Sequence, residues 1–306
     1  MWEIIDAINA AINNIQFPFG DEAPLNAMAA TFEGFAGDRL SGTVGACDGI
    51  VLKMERPRRE DVGGDVASFW TRKGFYAYGL QAVCDGTRKF RYATAVTSAA
   101  SHGSVSYDVS SMHKSIAEKR LPPWAHLVMD HAYVCTEQEL SPYHQPRSKA
   151  LSVWEDAFNY FLSLNRQCIE RAFGLWVGTW GIFWRPLRVG ARRIPSIVSA
   201  TMKLHNIRVD RFGATHTGIA IGDSRSADHA EVLFGGGSVN AGFRSDLVTS
   251  VRRKQLTEML ESRCVRRPPN KYTSYIDRTN RHAPHPDQEE AWRVFGTANG
   301  QDGEEY

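Results

Sequence analysis

The amino-acid sequence predicts an α/β protein: a mixed sheet flanked by helices, with a helical lead-in and an irregular polar tail. Three observations carry this expectation. Short apolar runs of strand type alternate with stretches of helical period. Two of those runs are joined by Asp85-Gly86, a turn dipeptide that signals a hairpin. Ala157 to Gly174, AFNYFLSLNRQCIERAFG, sets Phe158, Phe161, Leu162, Ile169, Ala172 and Phe173 at steps that keep them on one side of a long buried helix.

The elements follow in order. Residues 2–14 and 24–35 have amphipathic rhythm and read as two helices separated by the Phe17-Pro18-Phe19-Gly20 break. Residues 43–54, TVGACDGIVLKM, form an apolar run suited to a strand buried on both faces. A charged loop over 56–65 precedes the hairpin strands 73–84 and 89–97. The small polar stretch 98–106 reads as loop, and 108–119 as a helix with Ser106 or Asp108 near its cap. Pro122-Pro123 ends that helix, and 124–129 is a short strand terminating in Asp130. A loop over 142–146 leads to the long helix. Residues 194–209, with Pro195 in the first turn, read as a last core helix. From about 211 the glycines and scattered charge suggest a partly disordered tail, interrupted by a helix over 247–261. Arginines at 252, 253, 263, 266 and 267 flank it, either as a solvated face or as a nuclear-import or phosphate-contacting segment. The expected organisation is therefore a lead-in over 1–40, a catalytic-type domain over 41–210 and a tail over 211–306.

Composition bounds the function classes. With 306 residues and 42% hydrophobic content the chain can bury a full core. Its formal net charge of +2 argues neither for nor against nucleic acid. Five dispersed cysteines without a CxxC pair fit reduced thiols better than a disulfide framework or a zinc site. No apolar run approaches membrane-span length, so a soluble intracellular protein without membrane contact is expected.

Three acids stand out by context: Asp48 inside the first strand, Asp130 at the end of the fourth, and Glu170 on the long helix. Strand, hairpin strands, helix, strand and helix is the order of an RNase H-like mixed sheet, in which the first and fourth strands are neighbours and the helix packs across their ends. Three carboxylates converging there would not all ionise without a cation, and hard oxygen ligands suit Mg²⁺ or Mn²⁺. Two such ions about 3.5–4 Å apart can activate an attacking oxygen and stabilise a leaving oxygen of a phosphodiester. Each acid also has a plainer reading: Asp48 satisfied by backbone amides, Asp130 a turn cap, and Glu170 half of an i,i+4 surface pair with Arg166. Arg166 and Asn159, on the same line of the helix, orient Glu170, touch a phosphate or serve helix packing. His102, His113, His131 and His205 lack metal-ligand spacing and read as structural or surface groups.

Several blocks resemble the DDE transposases of the PIF/Harbinger superfamily, whose catalytic domain also gives domesticated HARBI-type nucleases. VGACDGIVLKMERP resembles the block with the first catalytic aspartate, which implies that role for Asp48. KGFYAYGLQAVCD matches the next strand block. HGSVSYD resembles a loop ending in an additional metal-site aspartate, here Asp108, and HLVMDHAY resembles the block with the second catalytic aspartate, here Asp130. The most specific match is the pattern of Phe158, Asn159, Ser163, Arg166, Glu170, Arg171, Phe173 and Gly174, which implies that Glu170 is the catalytic glutamate. KLHNI, at 203–207, matches the block closing the domain. The chain departs from the pattern at Ile50-Val51, where Thr-His is common, and at Ala132, where the family has Gly.

The resemblance implies a metal-dependent DNA endonuclease and strand-transferase. Asp48, Asp130 and Glu170, with Asp108, would hold Mg²⁺ or Mn²⁺ and act on transposon ends and target DNA. It also implies a nuclear location, a Myb-like DNA-binding partner, since no upstream helix-turn-helix region is evident, and a homo-oligomer during synapsis. The alternatives are a catalytically silent derivative that binds DNA or protein as a scaffold, and a host nuclease without element-end specificity.

Overall fold

The computed structural model describes residues 1–71, 73–96, 107–144, 150–213 and 250–268. A five-stranded mixed sheet lies at its centre, in the order β3-β2-β1-β4-β5. Strand β1 (Thr43–Lys53) is central because its sequence is apolar on both faces. It pairs antiparallel with β2 (Ala77–Cys84), Asp48 opposite Ala82, and β2 pairs antiparallel with β3 (Phe90–Val96). On its other side β1 pairs parallel with β4 (His126–Val128), Ala46 opposite Val128, and β4 pairs parallel with β5 (Glu139–Leu140).

Helices cover both faces. On one face α2 (Glu22–Ala30) and α3 (Ser111–Ala117) contribute Leu25, Met112 and Ile116 to a cluster with Val44, Cys47 and Leu127. On the other, α4 (Val153–Thr179) lies across β1 and β2 and buries Phe158, Phe161, Phe173 and Trp176. Two further helices extend that layer: α5 (Ile194–Phe212), packed on β3, and α6 (Val251–Ser262), packed on α4 with Leu256 and Leu260 buried. The first helix, α1 (Trp2–Ala11), packs on α5 without burying any residue fully. No described helix is long and apolar enough to cross a membrane. All five cysteines are free.

The element order expected from sequence is present, with shifted bounds. Helix α4 is longer at both ends than 157–174. Ser152 and Glu155 close a capping box, Ser152 Oγ accepting from Glu155 N at 3.2 Å, which starts the helix four residues earlier. Helix α3 starts at Ser111, with Ser110 as its cap, so Asp108 is not the cap. The two-residue β5 was not anticipated, since it is too short to show a period. The expected loop over 98–106, with His102, lies outside the described residues, as does most of the tail.

Two buried polar networks fix the layers. The KLHNI block closes the hairpin: Asn206 bridges the backbone of Phe90, accepting at 2.8 Å and donating at 2.8 Å, and His205 Nε2 meets the Arg88 carbonyl at 2.9 Å. At the turn itself a Cβ on Gly86 would fall 2.1 Å from the Thr31 carbonyl oxygen, so only glycine fits. Across the sheet, Asn165 of α4 donates to Thr43 Oγ1 of β1 at 3.0 Å and accepts from Ala36 N at 3.2 Å. Thr43 Oγ1 in turn meets His126 Nε2 of β4 at 3.0 Å. One asparagine therefore registers the long helix against the two strands that bear or precede the aspartates.

Candidate active site

Asp48 sits at mid-β1 on the face that meets α4, and Asp130 follows β4 by two residues. The Ala46–Val128 pairing brings the two to the same level of adjacent parallel strands. Asp48 Oδ1 accepts from the Gly49 amide at 2.8 Å, the backbone satisfaction considered from sequence. Its other oxygen, Oδ2, faces Arg166 of α4, Nη1 at 3.7 Å. The same Nη1 lies 2.6 Å from Glu170 Oε1. The i,i+4 pair expected on the helix is thus real, and it is also the link between the helix and the strand: one guanidinium is shared by the two carboxylates.

The acids also act on one another electrostatically. Burial pushes the Asp48 carboxyl up from 3.8 to about 7, Arg166 opposes this, and the charges of Asp130 and Glu170 push it further up. Burial pulls the Arg166 guanidinium down, but Asp48, Glu170 and Asp130 outweigh it and raise it, so it stays charged. Three acids therefore surround one arginine, an excess of negative charge that a further cation would relieve.

His131, read from sequence as a structural or surface group, and Tyr133 and Gln81, which the sequence did not single out, lie beside these acids. His131 Nδ1 lies 2.8 Å from Asp130 Oδ1, orienting that carboxylate. Tyr133, buried beside the site, donates to Gln81 Oε1 of β2 at 2.8 Å, and burial followed by the Asp48 charge raises its phenol well above the usual range. Gln81 reaches across Gly49, where a Cβ would fall 2.6 Å from Gln81 Nε2. The detectable signal was Gln81 itself, a lone polar residue within the apolar run of β2. Asp108 is anchored through its neighbour: Tyr107 stacks edge-on to Tyr133 at 5.5 Å and donates to Glu139 Oε1 of β5 at 2.8 Å. Glu139 also takes His113 Nδ1 at 2.9 Å and the Thr136 hydroxyl at 2.9 Å. The acids that act on Asp48 are Asp130 and Glu170. His205 and His113 have structural partners, as their spacing suggested.

Among the described residues no group of three or more histidine, cysteine, aspartate or glutamate side chains is gathered tightly enough to hold a metal ion. Arg166 stands between Asp48 and Glu170. The donor set nevertheless has the chemistry of a hard-cation site, carboxylate oxygens with a net negative excess.

Residues 47–206, more than half of the chain, match the model of the family described as DDE superfamily endonuclease. The chain belongs to that family. Members of this endonuclease family generally use divalent metals, and the matched span begins one residue before Asp48 and ends at Asn206, so it contains all four sequence-predicted acids. No curated protein and no solved structure matches the chain.

Proposed function

We propose that this DDE endonuclease is a Harbinger-like transposase, cleaving DNA phosphodiester bonds and transferring the freed 3′ end by in-line displacement on an RNase H-like sheet. The observation that carries this reading is the convergence of Asp48, Asp130 and Glu170, from two adjacent parallel strands and a helix, around the single cation of Arg166. Asp48, Asp130 and Glu170 would hold Mg²⁺ or Mn²⁺, with Asp108 as an additional ligand. Such an ion lowers the pKa of a bound water or hydroxyl and stabilises the leaving oxygen. The protein's own part is positioning. His131 aims Asp130, Gly49 N holds one oxygen of Asp48, and Asn165 fixes the height of Glu170 against β1. A nuclear location, a Myb-like DNA-binding partner and a homo-oligomer at synapsis belong to the same proposal.

The second reading, a silent scaffold that binds DNA or protein, is favoured by Arg166 standing between two of the proposed ligands. Labelled DNA with Mn²⁺ or Mg²⁺ separates the two. Cleavage by the wild type that is lost in both Asp48→Asn and Glu170→Gln supports the nuclease. DNA bound but never cut, even with a Myb-like partner supplied, refutes it in favour of the scaffold.

A further inference from the structure

The elements that carry Asp48 and Glu170 lead away from them to the same surface. Strand β1 runs from Asp48 to its end at Lys53, and Met54 just beyond it bridges to Leu187, roughly 20 Å from Asp48 at strand rise. Helix α4 continues from Glu170 to Thr179, roughly 14 Å at helical rise. There the chain segments meet. Leu187 N donates to the Lys53 carbonyl at 2.9 Å and Glu55 N donates to the Leu187 carbonyl at 3.1 Å, adding a strand-like stretch to the end of β1. Arg192 bonds the carbonyls of Glu60 and Asp61, and Gly190 abuts the Asp61 carboxylate, so the 59–62 and 191–193 turns are locked side by side.

This junction is strongly basic. Segments 53–61 and 185–193 hold eight lysines and arginines against three acids, a net of +5, whereas the whole chain carries only +2. Seven of the eight are arginine, the residue whose planar fork suits phosphate oxygens. Arg56, Arg59 and Arg185 are exposed with no carboxylate within ion-pair distance among the described residues. Arg58 and Arg188 pair with Glu60 at 4.0 Å and Glu55 at 2.9 Å, but with both partners exposed such pairs exchange readily for a phosphate. Two tryptophans interrupt the charge. Trp184 is 45% exposed with its indole N–H held by the Val177 carbonyl at 3.0 Å, and Trp70 is 47% exposed, edge-on to Tyr76 at 4.7 Å. Fixed, exposed aromatics among arginines are the make-up of a nucleic-acid surface rather than of a merely soluble one.

We propose that this arginine–tryptophan ridge binds the phosphate backbone of duplex DNA, receiving it about four to six base pairs from the phosphate at the carboxylates, given 3.4 Å per base pair. The proposal rests on the nuclease reading for its choice of DNA as partner. The test is fluorescence anisotropy of a labelled duplex against salt, using the full chain. The triple variant Arg56→Ala, Arg59→Ala, Arg185→Ala is compared with Arg266→Ala, Arg267→Ala, both checked for folding by circular dichroism. The expected result is a log–log salt slope shallower by about 2.7 in the triple variant, at roughly 0.9 per lost phosphate contact, and a near-wild-type slope in the Arg266/Arg267 variant. An unchanged slope in the triple variant overturns the ridge, as does an equal loss in the Arg266/Arg267 variant. Preferential displacement of the duplex by polyglutamate overturns DNA as the partner. Ridge-dependent binding without cleavage upholds the ridge while the nuclease reading fails. Cleavage with a ridge-independent slope does the reverse.

Discussion

Asp48 gives the sharpest prediction because its proposed role and its stability cost oppose each other. Its carboxyl is raised from 3.8 to about 7, a difference of about 3 units and so about 4 kcal/mol between the two protonation states, at 1.36 kcal/mol per unit. The sign follows from proton counting. Between these two values the folded protein binds more protons than the unfolded chain, so stability falls as pH rises through the window. The penalty is absent below about pH 4 and complete above about pH 7. The attraction of Arg166 is already contained in the raised value. Asp48→Asn keeps the shape without the charge, so the variant should match the wild type near pH 4 and exceed its stability by up to about 4 kcal/mol at pH 8. For a domain of this size each kcal/mol moves the Tm by about 2–4 °C. Differential scanning calorimetry in EDTA from pH 4 to 8 reads this difference directly. Added Mn²⁺ should then stabilise the wild type alone, reversing the order. A Tm difference that is the same at pH 5 and pH 8, or a variant less stable than the wild type at pH 8, would refute the picture of crowded carboxylates.

Other outcomes follow from the same geometry. Arg166→Gln removes the guanidinium that competes for Asp48 and Glu170, so Mn²⁺ measured by electron paramagnetic resonance should bind about ten-fold tighter, about 1.4 kcal/mol; weaker binding would make Arg166 a positioning residue instead. Mn²⁺ affinity in the wild type should climb between pH 6 and 8, as Asp48 must give up its proton to bind, and titration calorimetry showing a flat profile would contradict this. Asn165→Ala leaves the buried Ala36 N without its partner and removes one hydrogen bond from Thr43 Oγ1, which keeps its contact with His126 Nε2, at a cost of about 1–3 kcal/mol in urea unfolding. Cleavage should fall in that variant too, since Glu170 rides on the same helix; a variant as stable as the wild type would show that Asn165 does not register the helix on the sheet.

What local pattern determines was legible in the residues alone. Phe158, Phe161, Phe173 and Trp176 lie on one side of a helix because its period is 3.6, whatever surrounds it. The apolar run of β1 required burial on both faces and therefore a central strand. Asp48, Asp130 and Glu170 were conspicuous because a carboxylate in or beside an apolar element needs a partner. Their order along the chain already suggested strands and a helix that meet.

Tertiary structure decided what period cannot carry. Leu187 joins the end of β1 only because α4 delivers it there, which places the arginines of 56–59 beside those of 185–193 although some 130 residues separate them in sequence. Asn165 and Thr43, Tyr133 and Gln81, and Tyr107 and Glu139 are likewise long-range pairs, and nothing in either member names the other. Arg166 is the clearest case. Its step of four to Glu170 was written in the sequence, but its reach to Asp48 exists only because the helix crosses that strand at that height. Charge depends on distance through space, and distance between remote residues is what folding alone supplies.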